Sequence, residues 1–444
     1  MVLLNKLMPE TPHQITIVGG GLAGLTLGIG LRQKKIPVCV LEAGHYPRHR
    51  VCGEFISGRG QETLARLGLA DKLSAAGAIP AHTTVFFSPR AKSAIRTMTE
   101  PAWSISRYTL DAFLADEFRA LGGELHENER WRANEYAAGM VRATGRRVQP
   151  TESGWRWFGL KVHARNVALD ADLEMHLSPS SYLGISRLNG GEVNICGLFR
   201  RPATSAVREP GIEREHLNIP PKGRDIAPAR DLSELRCPRP RSSPDSESGS
   251  PDAALGDGDG AARLSLPRLE EAARQHRPTE FEAEQARCVS QLSKGSRLKA
   301  EVQTILGQPG SPRYERLANA VFDEQSFCSI AGLSLRPQRA AHSAECCIGD
   351  GITMIPPVTG NGMSMAFESA ELAVEPLAAY SRGELDWRAT KETIARLCDE
   401  RFARRLKWAW KVQRLMFLGP LQGVVVRFLP RWEGIWRLLL ERTR

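Results

Sequence analysis

The stretch that decides the fold is QITIVGGGLAGLTLGIGLRQKKIPVCVLE, residues 14–42. It predicts a buried strand over Ile15–Val18, a helix over Leu22–Lys34 and a second strand over Pro37–Glu42. Two strands joined by one helix within about 30 residues form a β-α-β unit, whose strands run parallel. The expected fold class is therefore α/β.

The turn between the first strand and the helix fits the pattern Gly-x-Gly-x-x-Gly. Gly19 permits the tight turn, Gly21 lets the backbone approach a pyrophosphate, and Gly24 permits close packing of the helix on the strand. The helix then starts at Leu22 and Ala23, where N–H groups and the positive end of the helix dipole favour phosphate. The turn therefore predicts a phosphate-binding corner.

Glu42 completes this pattern at the end of the second strand. Its carboxylate can accept hydrogen bonds from both hydroxyl groups of a ribose. The order strand, glycines, helix, strand and acid is typical of a Rossmann-type dinucleotide-binding domain. The alternative is a glycine-rich turn that only joins elements of the core.

A second glycine-rich stretch lies far along the chain, where residues 349–362 read GDGITMIPPVTGNG. A strand is predicted before it, over Ala344–Ile348, and a helix after it, over Gly362–Tyr380. The start of that helix would stabilise a nearby anion. A tight Pro/Gly turn that caps a packed helix is the alternative.

Together, the two glycine-rich stretches resemble those of the flavoprotein monooxygenase and geranylgeranyl reductase superfamily, which binds FAD. The resemblance implies that Asp350, after Gly349, holds the ribitol of FAD. It implies that Gly360, Asn361 and Gly362 lie at the isoalloxazine ring. The implied fold is a Rossmann-type FAD-binding domain with an antiparallel β-sheet substrate domain and a helical C-terminal tail.

Two further stretches strengthen the resemblance. RHRVCGEFIS, residues 48–57, is similar to a Cys-Gly-Glu segment in one branch of the superfamily, and Arg50 is expected to contact the cofactor. SISRYTLD, residues 104–111, is similar to the Arg-x-x-Leu-Asp of the superfamily, which implies that Arg107 contacts FAD.

Cys52 and Glu54 are the candidate catalytic residues. The reductases of this superfamily place a cysteine near the flavin, so the Cys52 thiol could tune redox chemistry or proton delivery. The alternative is a small buried residue beside the cofactor. Glu54 could act as an acid or position the substrate, but a structural salt bridge or a helix cap is favoured. The ten histidines show no catalytic order, and each is expected at the surface or in a cap. The paired acids Glu368 and Glu371 are expected on a solvated helix face.

The chain departs from the family pattern in its middle. Many hydroxylases have Gly-Ala-Asp-Gly there, whereas the nearest match, residues 142–146, reads RATGR and lacks the carboxylate. Trp155-Arg-Trp157 is similar to the Trp-x-Trp of flavin halogenases, but Phe158-Gly159 replaces the Ile-Pro that follows it there. The two tryptophans are therefore expected to pack in the core.

The predicted organisation has five segments. They are the first part of the FAD-binding domain (14–80), a mixed FAD-binding and substrate-domain sheet (81–205), a disordered insertion (206–285), the second part of the FAD-binding domain (286–383) and a basic, Trp-rich helical region (384–444). The insertion is predicted because residues 238–252 contain no apolar side chain. Other predicted helices are Gln61–Leu73, Thr109–Leu121 and Trp387–Met416, and other predicted strands are Thr83–Ser88, Ala94–Met98, Leu173–Leu177, Tyr182–Leu188 and Glu192–Phe199.

Charge and cysteine content narrow the function classes. Residues 401–444 hold eleven Lys or Arg and two acids, which accounts for most of the net charge of +10. The rest of the chain is near neutral, so nucleic acid is not an expected partner.

Nine cysteines without zinc-like spacing predict reduced thiols in the cytoplasm and no metal. Met1–Met8 does not fit a signal peptide, and no apolar run predicts a membrane span.

The C-terminal region mixes Arg and Lys with tryptophans, a composition typical of segments at a membrane surface. Peripheral membrane contact, or capture of a lipid-like substrate, is one expectation. A basic, solvated helix packed on the body is the alternative.

The predicted function is an FAD-dependent oxidoreductase, a monooxygenase that uses NAD(P)H to hydroxylate a small aromatic, polyketide-like or lipophilic substrate. No second Gly-x-Gly-x-x-Gly follows a strand, so NAD(P)H would bind transiently over the flavin, or a separate reductase would supply electrons. One alternative is a reductase of prenyl or lipid double bonds, because the Cys-Gly-Glu stretch is shared. The other is a non-catalytic FAD-binding protein.

Overall fold

The computed structural model describes residues 12–203 and 301–428, except positions 134, 147 and 150. The elements described here belong to the unit formed by Met1–Pro210 and Gln303–Arg444. The predicted insertion, residues 206–285, lies outside the described residues.

The described strands and helices are numbered in chain order. Strands β1 to β14 are Ile15–Val18, Val38–Leu41, Phe55–Ile56, Ile79–Ser88, Ala91–Lys92, Arg96–Ser104, Glu124–His126, Met140–Arg142, Trp155–Arg165, Leu173–Ser178, Ser181–Arg187, Val193–Pro202, Val321–Ala331 and Cys346–Cys347. Helices α1 to α8 are Leu22–Gln33, Arg59–Arg66, Ala70–Ala75, Arg107–Ala120, Pro312–Leu317, Gly362–Ser381, Trp387–Met416 and Gly419–Phe428.

Sheet A is parallel, with the strand order β14-β8-β1-β2-β7. Ile15 pairs with Val38 and Val18 with Leu41, so the predicted β-α-β unit is confirmed. The strand that carries the second glycine-rich stretch, β14, therefore joins the same sheet as the strand that carries the first.

Sheet B contains nine strands in the order β13-β9-β12-β11-β10-β4-β6-β3, with β5 paired to β4. Strands β10, β11 and β12 form the predicted antiparallel meander. The other described pairings in sheet B are antiparallel, and only β4 and β10 pair in parallel. These two strands come from distant parts of the chain, so no hairpin imposes an antiparallel direction on them.

Helix α1 packs between sheet A and the helices α4 and α6. Its residues Leu25, Leu27 and Ile29 are fully buried, and each contributes about 1.5–3 kcal/mol by leaving water. A Cβ on Gly28 would lie 2.7 Å from the Phe118 ring, and one on Gly30 would lie 2.7 Å from Val374. Glycine thus lets three helices approach closely in the core.

Two local predictions need correction. The helix predicted over Gln61–Leu73 is divided into α2 and α3, because Gly68 is left-handed (φ +71°) and Leu69 N–H donates to the Leu64 carbonyl. Glu368, expected on a solvated helix face, is buried and pairs with Arg405 at 2.6 Å. Among the described residues, no helix has the length and apolar character needed to cross a membrane.

Candidate functional site

The two glycine-rich stretches meet in space. Gly349 has a left-handed backbone (φ +58°), and a Cβ there would lie 2.9 Å from the Cβ of Ala23, in the first turn of α1. The Gly349 N–H donates to Ser369 Oγ at 2.8 Å, which fixes the second stretch on α6. Residues predicted separately to bind the two ends of one cofactor are therefore neighbours.

Three glycines of the first corner have different surroundings. A Cβ on Gly24 would lie 1.9 Å from the Gly19 carbonyl oxygen, and one on Gly19 (φ +108°) would lie 2.5 Å from the Ala143 oxygen. By contrast, a Cβ on Gly21 would meet no atom within 4 Å. Because Gly21 stands at the start of α1 and no side chain caps that helix end, the backbone N–H groups there are open to a phosphate.

Glu42 is buried at the end of β2. Its Oε2 accepts the Gly20 N–H at 2.8 Å, and its Oε1 accepts the Gly44 N–H at 2.8 Å and Arg48 Nη1 at 2.6 Å. Burial acts to raise the pKa of Glu42, but the Arg48 guanidinium and the backbone donors lower it to about 2. The carboxylate is therefore ionised at neutral pH, as acceptance of ribose hydroxyls requires.

Arg48 is a residue that sequence reasoning missed. Its Nε and Nη2 are buried and make no hydrogen bond with the described residues, so they can donate to an oxygen of a ligand. Arg50, which the sequence favoured, is more exposed and lies 3.9 Å from the Glu42 carboxylate. The quoted stretch contained both arginines, and only the structure distinguishes their surroundings.

Asp350 follows Gly349, where the second glycine-rich stretch meets the first turn of α1. Burial raises the pKa of Asp350 to about 6, against the opposing positive charges of Arg146 and Arg107. Arg146 stands in the RATGR segment that lacks the family carboxylate, and its Nε makes no hydrogen bond within the described chain. Arg107 begins α4 and binds Asp111 through two hydrogen bonds of 2.6 and 2.8 Å. Arg146 and Arg107 thus place positive charge close to Asp350.

The start of α6 lies against the segment that follows Cys52. Ser57 Oγ donates to Asn361 Oδ1 at 2.8 Å, and a Cβ on Gly360 (φ +66°) would lie 3.5 Å from the Phe55 ring. Burial raises the pKa of Cys52, so its sulfur is a protonated thiol at neutral pH. The predicted ring-binding turn therefore contacts one end of the segment formed by residues 52–57, and the candidate cysteine, Cys52, is at the other end.

Glu54 is fully buried in a layer of ionisable side chains, here called the polar layer: Glu54, Lys161, His163 and His49. Glu54 Oε2 lies 2.6 Å from His163 Nε2, Glu54 Oε1 lies 3.3 Å from Lys161 Nζ, and Lys161 Nζ lies 3.0 Å from His49 Nδ1. Burial lowers the pKa of His49 to about 4, and the Lys161 charge acts in the same direction. His49 is therefore the neutral acceptor of a Lys161 hydrogen bond.

The polar layer also fixes the backbone of the Cys-Gly-Glu segment. Glu54 has a left-handed backbone (φ +55°) and accepts the Arg107 N–H at 2.9 Å, at the start of α4. Asn194 Nδ2 donates to the Cys52 carbonyl, and Ser186 Oγ donates to the Gly53 carbonyl, both at 3.0 Å. Glu54 thus makes both of the structural contacts favoured for it, a salt bridge and a helix-end contact.

The register of sheet B puts an apolar layer on the same face. In β9, Trp157, Lys161 and His163 point to one side because residues two apart share a face. The paired strands continue this face with apolar side chains. The apolar layer consists of Trp157, Met175, Leu177, Tyr182 and Leu198, packed with Met354, Val358, Met416 and Phe417.

The expectation that every histidine lies at the surface or in a cap was wrong. His163 and His176 are 4% and 2% exposed, and each pairs with a buried glutamate. A signal was present in the sequence Leu160-Lys-Val-His-Ala164, where Lys161 and His163 alternate with apolar residues of a strand. That alternation predicts a strand whose polar side chains share one face, and in the structure this face is buried, so its charged residues must pair.

The geometry fits FAD. An open position at Gly21, an ionised acid at Glu42 and two buried Arg48 nitrogens without a partner among the described residues are the groups that an ADP moiety needs. Asp350 and the start of α6 continue the site toward the segment of Cys52.

Comparisons with known proteins agree with this reading. Residues 13–156 match the family model described as FAD binding domain. The chain is 29% identical over 144 residues to kynurenine 3-monooxygenase of Xanthomonas oryzae, covering 30% of this chain and 31% of that protein. It is 30% identical over 104 residues to the 1H-pyrrole-2-carbonyl-[peptidyl-carrier protein] brominase of Pseudoalteromonas luteoviolacea, covering 23% of this chain and 25% of that protein. These matches thus span only a quarter to a third of the curated relatives.

Solved structures match over nearly the whole chain. A geranylgeranyl bacteriochlorophyll reductase-like protein from Thermoplasma acidophilum has a TM-score of 0.58 at 14% identity, with 97% of both chains covered. The flavin-dependent brominase Bmp2 has a TM-score of 0.57 at 14% identity, covering 97% of this chain and 93% of the other. These likenesses show the fold.

Residues 13–156 therefore form an FAD-binding domain. The resemblance inferred from the motifs, to the flavoprotein monooxygenase and geranylgeranyl reductase superfamily, is confirmed over this part of the chain.

Proposed function

We propose that this chain is an FAD-dependent monooxygenase that uses NAD(P)H to hydroxylate a small aromatic, polyketide-like or lipophilic substrate. The observation that carries the proposal is the convergence of both glycine-rich stretches beside one face of sheet B. Bound FAD would supply two-electron chemistry with O₂, so that NAD(P)H, a proton, O₂ and the substrate R–H give NAD(P)⁺, water and R–OH.

Each cofactor-binding residue has a role in this proposal. Arg48, Arg50 and the N–H groups at Leu22 and Ala23 bind the pyrophosphate. Glu42 accepts the ribose hydroxyls.

The second stretch holds the remainder of the cofactor. Asp350 binds the ribitol, Arg107 contributes positive charge, and the start of α6 at Gly360, Asn361 and Gly362 stabilises negative charge that develops on the ring. Cys52 supplies a neutral thiol rather than a nucleophilic thiolate, because burial raises its pKa.

The face of sheet B that bears both layers supports this substrate class. The apolar layer contains the aromatic side chains of Trp157 and Tyr182, and Phe417 packs on it. Aromatic rings pack well against a flat apolar molecule. The adjoining polar layer favours a substrate that also bears a polar or ionisable group. A dry, apolar surrounding would in addition keep water away from the reacting atoms.

Isotope incorporation tests the function. Purified protein with FAD is mixed with NADH or NADPH and a panel of phenols, polyketide-like aromatics and polyprenyl lipids, under ¹⁸O₂. A monooxygenase transfers one ¹⁸O atom into a product. Oxygen-independent addition of two hydrogens to an alkene, or a product that forms only with added halide, would overturn the proposal. Flavin that is reduced by dithionite but not by NADH or NADPH would indicate a separate reductase as the electron donor.

A flavin-dependent reductase of prenyl or lipid double bonds is the second candidate. It is favoured by the Cys52-Gly53-Glu54 segment and by the fold shared with the geranylgeranyl reductase-like protein. The same assay under anaerobic conditions separates it from the monooxygenase. A non-catalytic FAD-binding protein would bind FAD and give neither product.

The C-terminal helices support a peripheral contact with a membrane. The side chains of Leu418 and Val424 are 49% and 53% exposed, and the Arg414 guanidinium lies 4.7 Å from the centre of the Trp410 ring. We expect the parent protein to float with anionic liposomes and the variant Leu418→Glu, Val424→Glu, which changes exposed side chains only, to remain behind. Equal flotation of both forms would contradict this contact. The compartment proposed is the cytoplasm, since none of the seven described cysteines forms a disulfide.

A further inference from the structure

Three metal-ligating side chains meet on sheet A, outside the set of residues predicted to bind the cofactor. They are Cys39 on β2 and Glu124 and His126 on β7, and their ligand atoms all lie within 4.8 Å of one another. No metal is expected from the sequence, because these residues are far apart in the chain and show no ligand spacing.

The strand register brings the three together. Cys39 pairs directly with Glu124, and Leu41 pairs with His126, on adjacent parallel strands. Glu124 and His126 are two residues apart and so point to the same face as Cys39. The ligands therefore stand on hydrogen-bonded backbone, which fixes their spacing more firmly than a loop would.

A fourth side chain orients the imidazole. His126 Nε2 faces Glu124 Oε1 at 2.9 Å, while His126 Nδ1 lies 3.5 Å from Glu129 Oε2. One nitrogen thus faces the other ligands and the second faces a carboxylate. This is the arrangement by which a carboxylate orients and strengthens a metal-binding histidine.

The charges favour a divalent cation. Two carboxylates and one thiol surround a single imidazole, so the group is net negative once His126 is neutral. Thiolate, imidazole and carboxylate together are ligands preferred by Zn²⁺, which takes three protein ligands and a water in an open tetrahedral site. The Cys39 side chain is almost fully buried, whereas His126 is about one-third exposed, so a cation can enter from the histidine side.

We propose that Cys39, Glu124 and His126 form a Zn²⁺ site, with Glu129 as the positioning residue for His126. Binding forms a Zn–S bond as the Cys39 S–H bond breaks, and the proton passes to the buffer. The site lies beside the cofactor corner, because the Glu42 N–H donates to the His126 carbonyl at 2.8 Å. Zinc would therefore tie the edge strand β7 to the strand that carries the ribose-binding acid.

Zinc content of the tag-free, FAD-containing full chain tests the proposal. The protein is stripped with EDTA, equilibrated with Zn²⁺, desalted and analysed by mass spectrometry for zinc, sulfur and flavin. We expect one zinc per chain in the parent protein and none in Cys39→Ser or His126→Gln. Glu129→Gln should retain the site with roughly 10- to 100-fold weaker binding.

Matched controls separate ligand loss from misfolding. Cys398→Ser removes another buried thiol and His45→Gln another exposed histidine, and both should keep one zinc. His126→Gln lies near the surface and should keep its full flavin content. Parent protein that holds no zinc, or ligand variants that hold as much as the parent, would overturn the site whatever the flavin content.

Discussion

The phosphate-binding corner and the polar layer both hold polar groups near the protein interior, but they satisfy them differently. At the corner, Gly21 opens onto empty space and Arg48 keeps two buried nitrogens without a partner among the described residues. In the polar layer, Glu54, Lys161 and His163 pair with one another. The corner is thus incomplete without a ligand, whereas the polar layer is complete by itself. Changes at the corner should act on cofactor binding, and changes in the polar layer should act first on folding.

The largest expected effect is that of Lys161→Met. The substitution keeps the length of a fully buried side chain but removes the charge that faces Glu54. Loss of one member of a buried ion pair costs about 3–5 kcal/mol, because the other charge stays buried without compensation. Urea denaturation followed by circular dichroism measures the change in the free energy of unfolding.

The double variant Lys161→Met, Glu54→Gln is the control for this prediction. It removes the buried negative charge as well, so it should be more stable than Lys161→Met alone. A double variant that is less stable than the single one would show that Glu54 is held mainly by His163 and the Arg107 N–H, and that the ion pair is not the stabilising contact.

This contrast also explains which features could be predicted from sequence. The corner is local, because Gly19, Gly24 and Glu42 belong to one β-α-β unit whose geometry follows from a single stretch. The polar layer is not local: Glu54 meets Lys161 and His163 only because sheet B packs on the segment after Cys52. Sequence alternation indicates that Lys161 and His163 share one face of a strand, but it shows neither that this face is buried nor which acid faces them.

The next largest expected effect is that of Asp350→Asn on the free energy of unfolding. The two acids of the cofactor site, Glu42 and Asp350, should change stability with pH in opposite directions, because folding lowers the pKa of Glu42 and raises that of Asp350. The pKa of Asp350 in the folded chain, about 6, lies above its ordinary value of 3.8. The folded state therefore binds this proton more tightly than the unfolded state does. The stability that results is fully present below pH 3.8 and is lost as the pH rises through 6. Asp350→Asn should stabilise the FAD-free protein at pH 8 by on the order of 3 kcal/mol and leave it unchanged at pH 4. Urea denaturation across this range measures the difference.

Asp116→Asn serves as the matched control, because the Asp116 side chain is 75% exposed on α4. Its stability should follow that of the parent protein at every pH. If Asp350→Asn also ran parallel to the parent from pH 4 to pH 8, the raised pKa and the burial that causes it would both be contradicted.

A pair of glycine variants sharpens the contrast within the corner itself. In Gly24→Ala the new Cβ meets the Gly19 carbonyl oxygen, part of the backbone, so we expect a loss of about 1–3 kcal/mol of stability together with loss of FAD. In Gly21→Ala the new Cβ enters open space, so the FAD-free protein should unfold at the same urea concentration. Fluorescence titration with FAD should nevertheless show weaker binding to Gly21→Ala. Unchanged FAD affinity in that variant would mean that the opening at Gly21 does not receive the cofactor.

The smallest expected effect is that of His49→Gln, at the solvent side of the polar layer. Glutamine keeps an acceptor for the Lys161 hydrogen bond, so the cost at pH 8 should stay within about 1 kcal/mol, the net value of one such bond. The pKa of His49 is about 4 in the folded chain, below its ordinary value of 6.5. The unfolded chain therefore binds the proton more readily, and the parent protein should lose stability as pH falls from 6.5 toward 4. Because glutamine does not titrate, His49→Gln should lose less stability over that range, and urea denaturation at pH 8 and pH 5 measures both differences.

His45→Gln, a change at an exposed histidine four residues earlier, should keep the parent's pH dependence. An equal slope in all three proteins would show that folding does not lower the pKa of His49.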